Sequence, residues 1–158
     1  MKKFFILILC FILVSTNISF ANTNNTTVST TVSSADMSAI RNAIKDIEMV
    51  NNSTKILIKK IVGDDPLNTE EIIKDITFAQ SILGEQTKKI SNLYYRESDF
   101  QLRKTYATIL FTIILYELSL SSMTMYVNNT NNIDYFIDAC TSYSAGENSL
   151  KTLKLKHL

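Results

Sequence analysis

The sequence predicts an all-α protein: an up-down-up-down four-helix bundle that follows a signal peptide and a disordered polar leader. The chain has 158 residues but only 3 Gly and 1 Pro, too few for the frequent tight turns of a β-rich fold. Apolar residues recur at helical spacing over four long stretches, and in the first three of these the steps alternate between three and four residues, as on one face of a helix or coiled coil. The connections between these stretches are short, which forces neighbouring helices to run antiparallel.

The first 21 residues have the organisation of a signal peptide. Two lysines precede an apolar run over residues 4–14, which is too short to span a bilayer. Small residues then occupy the positions that a signal peptidase reads, so we expect cleavage between Ala21 and Asn22. Residues 22–35 are small and polar and bury too little surface to offset the entropy of ordering, which predicts a disordered leader. An uncleaved membrane anchor is the alternative for residues 1–21.

Charge and cysteine content narrow the function classes. With Lys2 and Lys3 removed, 14 basic and 15 acidic residues remain and the net charge is −1, which gives no electrostatic case for nucleic acid as a partner. Cys140 is then the only cysteine, so we expect no internal disulfide and a fold held by packing alone. Cys10 raises a lipoprotein alternative, but Leu9 stands where lipid attachment needs a small residue.

The first two helices of the bundle, which covers residues 36–158, are predicted at 36–62 and 69–95. In the first, Asn51 and Thr54 interrupt the apolar seam, which indicates either a polar layer that sets register and partner choice or a bend that divides the helix. In the second, Asn68 is expected to cap the helix. Gly84 lies in its middle, where it weakens the helix by about 1 kcal/mol relative to Ala and permits a close helix crossing.

The third helix, predicted at 99–127 with Ser98 as its cap, is the helix around which the bundle is organised. Apolar residues also lie beside its seam, which predicts a helix with protein on most sides. Glu117 is the only charged residue between Thr105 and Val127, and a carboxylate there is costly in lipid, so we expect no stable transmembrane insertion. Membrane insertion and a surface that docks another chain are the alternatives. The seam consists of Tyr106, Ile109, Ile113, Tyr116, Leu120, Met123 and Val127.

The fourth helix is predicted at 132–156. Three lysines near its end suit the negative pole of the helix dipole. Gly146 is expected to weaken its middle. Its apolar stripe is predicted as Ile133, Phe136, Ile137, Cys140, Tyr143, Leu150 and Leu153.

The residue inventory predicts a non-enzymatic protein with no catalytic residue, no metal site and no cofactor. A single histidine cannot support a Ser/His/Asp or Cys/His constellation, paired Glu-x-x-His motifs for a di-iron site do not occur, and the C-x-x-C-H motif of covalent haem is missing from the sequence. Glu117 has no second carboxylate or histidine placed by the sequence to join it in acid–base chemistry.

Met37 and His157 are the one combination that points to haem. The antiparallel topology brings the start of the first helix and the end of the fourth to the same end of the bundle. This arrangement resembles the Met/His haem ligation of a periplasmic four-helix cytochrome, and the resemblance implies these two residues as axial ligands. His157 is the penultimate residue, at an end where chains fray.

Taken together, these features predict an exported bacterial protein, periplasmic or extracellular, that binds an unknown partner protein or its own copies in the envelope. The AT-rich coding bias seen in the abundant Ile, Asn and Lys indicates a bacterium. Asn51, Thr54, Tyr116 and Glu117 are the predicted interaction surface. One alternative is an envelope carrier that holds haem or a lipid-like molecule between its helices, and another is a membrane-active, toxin-like protein.

Overall fold

A computed structural model describes residues 33–63 and 66–158, and in these ranges the chain forms four long α-helices and no strand. This confirms the predicted all-α four-helix bundle. The predicted signal peptide, the cleavage site at Ala21 and Asn22, and the leader up to residue 32 lie outside the described residues. The helices are α1 (Ser34–Gly63), α2 (Thr69–Arg96), α3 (Phe100–Asn128) and α4 (Ile133–His157).

The polar step in α1 does not divide the helix, which runs unbroken for 30 residues. The Thr54 hydroxyl donates to the carbonyl of Val50 at 2.8 Å, so a buried polar side chain is satisfied within its own helix. α1 begins at Ser34, two residues before the predicted start, because the Ser33 hydroxyl accepts the amide N–H of Asp36 at 3.1 Å. The last residues of the predicted leader are therefore helical.

The caps of α2 and α3 show where local sequence signals hold. The amide of Glu71 donates to Asn68 Oδ1 at 3.2 Å, which confirms Asn68 as the cap of α2. The cap of α3 is Asp99 and not Ser98, since Asp99 Oδ1 accepts the amide of Leu102 at 2.7 Å. A carboxylate at this position also interacts favourably with the positive pole of the helix dipole.

The four helices pack with α1 and α3 on the short diagonal of the bundle. Each of these two helices contacts all three others, while α2 and α4 each contact only α1 and α3 within the described ranges. All seven residues of the predicted α3 seam are buried. In α2 the same spacing predicts a seam of seven residues, and all are buried except Leu93, which is half-buried. This seam consists of Ile72, Ile76, Ala79, Leu83, Gln86, Ile90 and Leu93.

α3 and α4 approach each other through small residues. The Ser119 hydroxyl donates to the carbonyl of Ala139 at 2.8 Å, and the hydroxyls of Thr112 and Ser149 lie 2.7 Å apart. The predicted apolar stripe of α4 is wrong at two positions, because Ile133 and Ile137 are each 54% exposed. The buried residues of α4 are Ala139, Gly146, Leu150 and Leu153.

Gly146, and not Gly84, is the glycine that a close approach requires. A Cβ atom at Gly146 would lie 3.1–3.3 Å from three ring carbons of Tyr116, whereas a Cβ atom at Gly84 would meet no atom of the described residues within 4 Å. Tyr116 is fully buried, and its hydroxyl donates to Asn51 Oδ1 at 2.9 Å. The ring therefore has little freedom to move away from an added methyl group.

The two glycines make a matched pair for a stability test. Gly146→Ala gains helix propensity but overpacks against Tyr116, and because overpacking costs about 1–3 kcal/mol we expect a net loss in the free energy of unfolding. Gly84→Ala gains the propensity without a clash and should stabilise the protein by up to about 1 kcal/mol. Urea denaturation followed by circular dichroism measures both, and equal stabilisation by the two substitutions would contradict the packing at Tyr116.

Candidate functional site

The most unusual surface of the bundle is a line of exposed apolar side chains on α3, turned away from the core. Phe111, Ile114, Leu118 and Met125 are 53%, 50%, 52% and 50% exposed, and we call them the outer stripe. They follow one another at steps of three, four and seven residues, so they lie along one side of the helix and span about 21 Å. The outward side of a bundle helix ordinarily carries polar residues that interact well with water, whereas this side of α3 exposes apolar side chains to the solvent.

The outer stripe continues toward the N-terminus of α3 and meets a surface groove there. Phe100 and Ala107 are exposed on the same side of the helix. The groove has a volume of about 330 Å³ and is lined by Tyr94 of α2 together with Phe100, Arg103, Lys104 and Ala107. The Arg103 guanidinium lies 5.6 Å from the centre of the Tyr94 ring, in a cation–π contact that forms one wall of the groove.

Glu117 borders the outer stripe, next to Leu118. Its side chain is half-buried, and this desolvation raises the pKa of the Glu117 carboxyl above its ordinary value of 4.5. In the part of the chain that the structure describes, the Glu117 carboxylate has no hydrogen bond or salt bridge. A half-buried, unpaired carboxylate beside an apolar surface would be stabilised in its charged form by a positively charged side chain of a binding partner.

The structure brings Asn51 and Tyr116 together but corrects their predicted role. Tyr116 and Thr54 are both completely buried, so neither belongs to an exposed interaction surface. The Tyr116–Asn51 hydrogen bond instead joins α3 to α1 inside the bundle. Of the four predicted interaction residues, Glu117 is the one that borders an exposed apolar face.

His157 lies between α3 and α4 and lines a small pocket of about 190 Å³, while Met37 packs against the core and does not line that pocket. Desolvation, with Lys156 nearby, lowers the pKa of the His157 imidazole, and Nε2 is buried without a hydrogen-bond partner in the described chain. The haem pair Met37 and His157 remains a prediction. Over residues 33–63 and 66–158, no three His, Cys, Asp or Glu side chains form a group that could hold a metal ion.

A second, larger groove runs between the first half of α1 and the second half of α2. It has a volume of about 780 Å³, within the usual range of ligand pockets. Small residues of α1, including Ala35 and Ala39, leave this space open. Gln86 closes its floor by donating to Asp46 Oδ2 at 2.5 Å, and Lys45 and Lys89 lie among its walls.

The sequence of α3 contains the apolar periodicity that marks the outer stripe. The core face of the same helix has the same periodicity, so the pattern does not distinguish the two faces. Apolar residues beside the core seam were expected to be covered by protein, yet the structure leaves Phe111, Ile114 and Leu118 half-exposed. The seven-residue spacing that links Phe111, Leu118 and Met125 is the pattern that marks them as one separate line.

The raised pKa of Glu117 predicts a pH-dependent stability. Because the folded protein holds the proton more tightly than the unfolded chain, stability is lost as pH rises above the unfolded pKa of about 4.5 and through the folded pKa. Glu117→Gln should therefore raise Tm at about pH 7 and have little effect at about pH 4. Differential scanning calorimetry of the dilute protein tests this. Glu85→Gln, which removes only an exposed pair with Lys89 at 3.7 Å, is the control that should not raise Tm.

Comparison with known proteins gives no relative from which a function could be transferred. No protein-family model matches the chain, no curated protein matches it, and no solved structure matches its fold. The function must therefore be inferred from the bundle's own surface, and above all from the outer stripe of α3.

Proposed function

We propose that this chain is an exported, non-enzymatic helical-bundle protein that acts by protein–protein association through the outer stripe of α3. The single observation that carries the proposal is the half-exposure of Phe111, Ile114, Leu118 and Met125 along one side of a helix. Bundle faces bind other helices by ridge-and-groove packing, which requires apolar side chains at helical spacing and no special chemistry.

The energetics of the outer stripe suit an interface of moderate strength. Burying the exposed half of a large apolar side chain contributes about 1 kcal/mol, so four such residues contribute several kcal/mol. Association itself costs roughly 4–15 kcal/mol in lost translation and rotation, so neighbouring contacts must add to the stripe. The groove beside Phe100 and the unpaired Glu117 offer such contacts.

The same apolar character makes α3 long and apolar enough, by length and composition, to cross a bilayer. Eight of its apolar residues belong to the buried core of the bundle, however, so insertion would require α3 to leave the other helices. Association with a protein surface uses the outer stripe while the core stays intact, which is why we favour it. Placement in the bacterial envelope follows from the predicted signal peptide and is part of the proposal.

A charge placed on the outer stripe should abolish association without unfolding the bundle. We expect native mass spectrometry of the protein, taken from its host envelope without harsh detergent, to show extra mass from a bound chain, and Leu118→Lys to return the mass of the single chain. Leu118 is already half-exposed, so the helical circular dichroism signal should persist. Ile56→Lys is the matched control, because Ile56 is 55% exposed but lies on α1. Loss of helicity in Leu118→Lys would show that the residue is core.

A second candidate function is a ligand carrier, and the groove between α1 and α2 is the observation that favours it. Its apolar residues Ala35, Ala39, Ile90 and Leu93 and its two lysines suit a lipid-like molecule with an anionic head. A haem is less well suited to this groove, because no His, Met or Cys is among the described residues that line it.

Ligand titrations separate the two versions of the carrier. We expect a fluorescent fatty acid to bind in the groove and Ala39→Trp, which fills the space, to weaken that binding by about tenfold, roughly 1.4 kcal/mol. Haemin should give no Soret shift. A Soret shift that Met37→Leu or His157→Ala removes would instead support the haem pair, and a fatty acid that binds Ala39→Trp unchanged would exclude the groove.

A further inference from the structure

We propose that the partner of the outer stripe is a second copy of this chain, packed antiparallel along α3 with a two-fold axis near Leu110. The inference rests on the proposed function and specifies its partner and geometry. Three observations carry it: a second heptad line on α3, a groove lined by residues of that line, and an unpaired carboxylate whose spacing from an arginine along α3 fits a two-fold axis near Leu110.

The N-terminal part of α3 continues the outer stripe as a regular seam. From residue 100 to residue 118 the outward positions follow steps of four, three, four, three and four residues, which is the spacing of a coiled-coil seam. This segment is about 27 Å long, and its six seam positions form six layers of side chains in an antiparallel pair. This outer seam, which is distinct from the core seam of α3 and is the seam meant below, consists of Phe100, Lys104, Ala107, Phe111, Ile114 and Leu118.

Antiparallel pairing over this segment places two large side chains, Phe111 and Ile114, opposite a small and a flexible one, Ala107 and Lys104. Phe111 of each copy faces Ala107 of the other, beside the groove of about 330 Å³ that Ala107 and Lys104 help to line. The methylene groups of Lys104 can cover Ile114 while the amine stays in water. The layers are Phe100–Leu118, Lys104–Ile114 and Ala107–Phe111, each formed twice by the two-fold symmetry.

The charges along the edge of the seam select this register. Arg103, Leu110 and Glu117 each precede a seam residue by one position, and residues on such edges face each other across a helix pair. Arg103 and Glu117 lie seven residues on either side of Leu110, so the two-fold axis brings Glu117 of one copy opposite Arg103 of the other, twice. The half-buried carboxylate thereby gains a bidentate cationic partner.

Other arrangements of the same two helices are worse. An antiparallel shift of one heptad places Glu117 opposite Leu110, and a shift of two places it opposite Glu117 of the second copy. A parallel pair stacks Lys104 on Lys104 in the seam, a repulsion without compensation. The register centred near Leu110 pairs every charge on the two edges.

Charge reversal tests the register in the processed full chain. Sedimentation velocity should show a concentration-dependent dimer, and Arg103→Glu or Glu117→Arg should each weaken dimerisation about tenfold or more, because two pairs become repulsive. The double variant should restore it, since reversing both members recreates both pairs. Restoration cannot arise within one chain, because residues 103 and 117 lie about 21 Å apart along α3.

A cross-link provides an independent readout of the same axis. In a Cys140→Ser background, Leu110→Cys should be joined to itself by a short bismaleimide, and Glu117→Cys should not. Reversals without effect, or self-linking at Glu117→Cys but not at Leu110→Cys, would overturn the register. A chain that stays monomeric at high concentration would overturn self-association, while extra mass that Leu118→Lys removes would then assign the stripe to a different protein. A dimer that forms equally well in Leu118→Lys would contradict both the inferred antiparallel dimer and the role of the outer stripe in association.

Discussion

The contact on which the rest of the bundle depends is that of the Tyr116 ring with the bare backbone of Gly146. The ring is completely buried, its hydroxyl reaches Asn51 on α1, and its edge meets Tyr143 with ring centres 6.2 Å apart. One side chain thus joins α1, α3 and α4. Because α4 presents no Cβ at this point, α3 and α4 come close enough for small residues to fill the space between them. The large apolar side chains on the outward side of α3 take no part in this packing and stay exposed on the surface.

The sequence was sufficient for the elements of the fold but not for the rotation of every helix. The core face of α3 follows a strict apolar period and is buried as that period predicts, and the core face of α2 is buried up to Ile90. In α1 the structure buries Val50 and Leu57 and leaves Asn51 and Ile58 half-exposed. α1 lies on the short diagonal and meets three helices, so its buried arc is wider than one seam. In α4 the buried positions include Ala139 and Gly146, which carry no strong hydrophobic signal, because their burial depends on the close approach of α3.

The outer stripe shows why the candidate site was only partly predictable. With apolar residues on both sides of α3, periodicity alone cannot decide which side faces the core. In the structure, the side of α3 that faces the core also contains three small polar residues at seven-residue intervals. These residues, Thr105, Thr112 and Ser119, are buried. Their hydroxyls donate to the backbone carbonyls of Gln101, Thr108 and Ala139, so they enter the interior without an unsatisfied group. Thr54 and Tyr116, two of the four residues of the predicted interaction surface, are buried for the same reason, because their hydroxyls also find partners inside the bundle.

The short diagonal between α1 and α3 limits which molecules the bundle can enclose. Direct contact between these two helices, reinforced by the hydrogen bond from Tyr116 to Asn51, divides the interior into two triangular compartments. One is bounded by α1, α2 and α3, the other by α1, α3 and α4. A flat guest held from opposite helices would need the central axis, which this wall of side chains occupies. A guest must therefore bind in one half of the bundle or along an outer furrow, and the two halves can differ in what they admit.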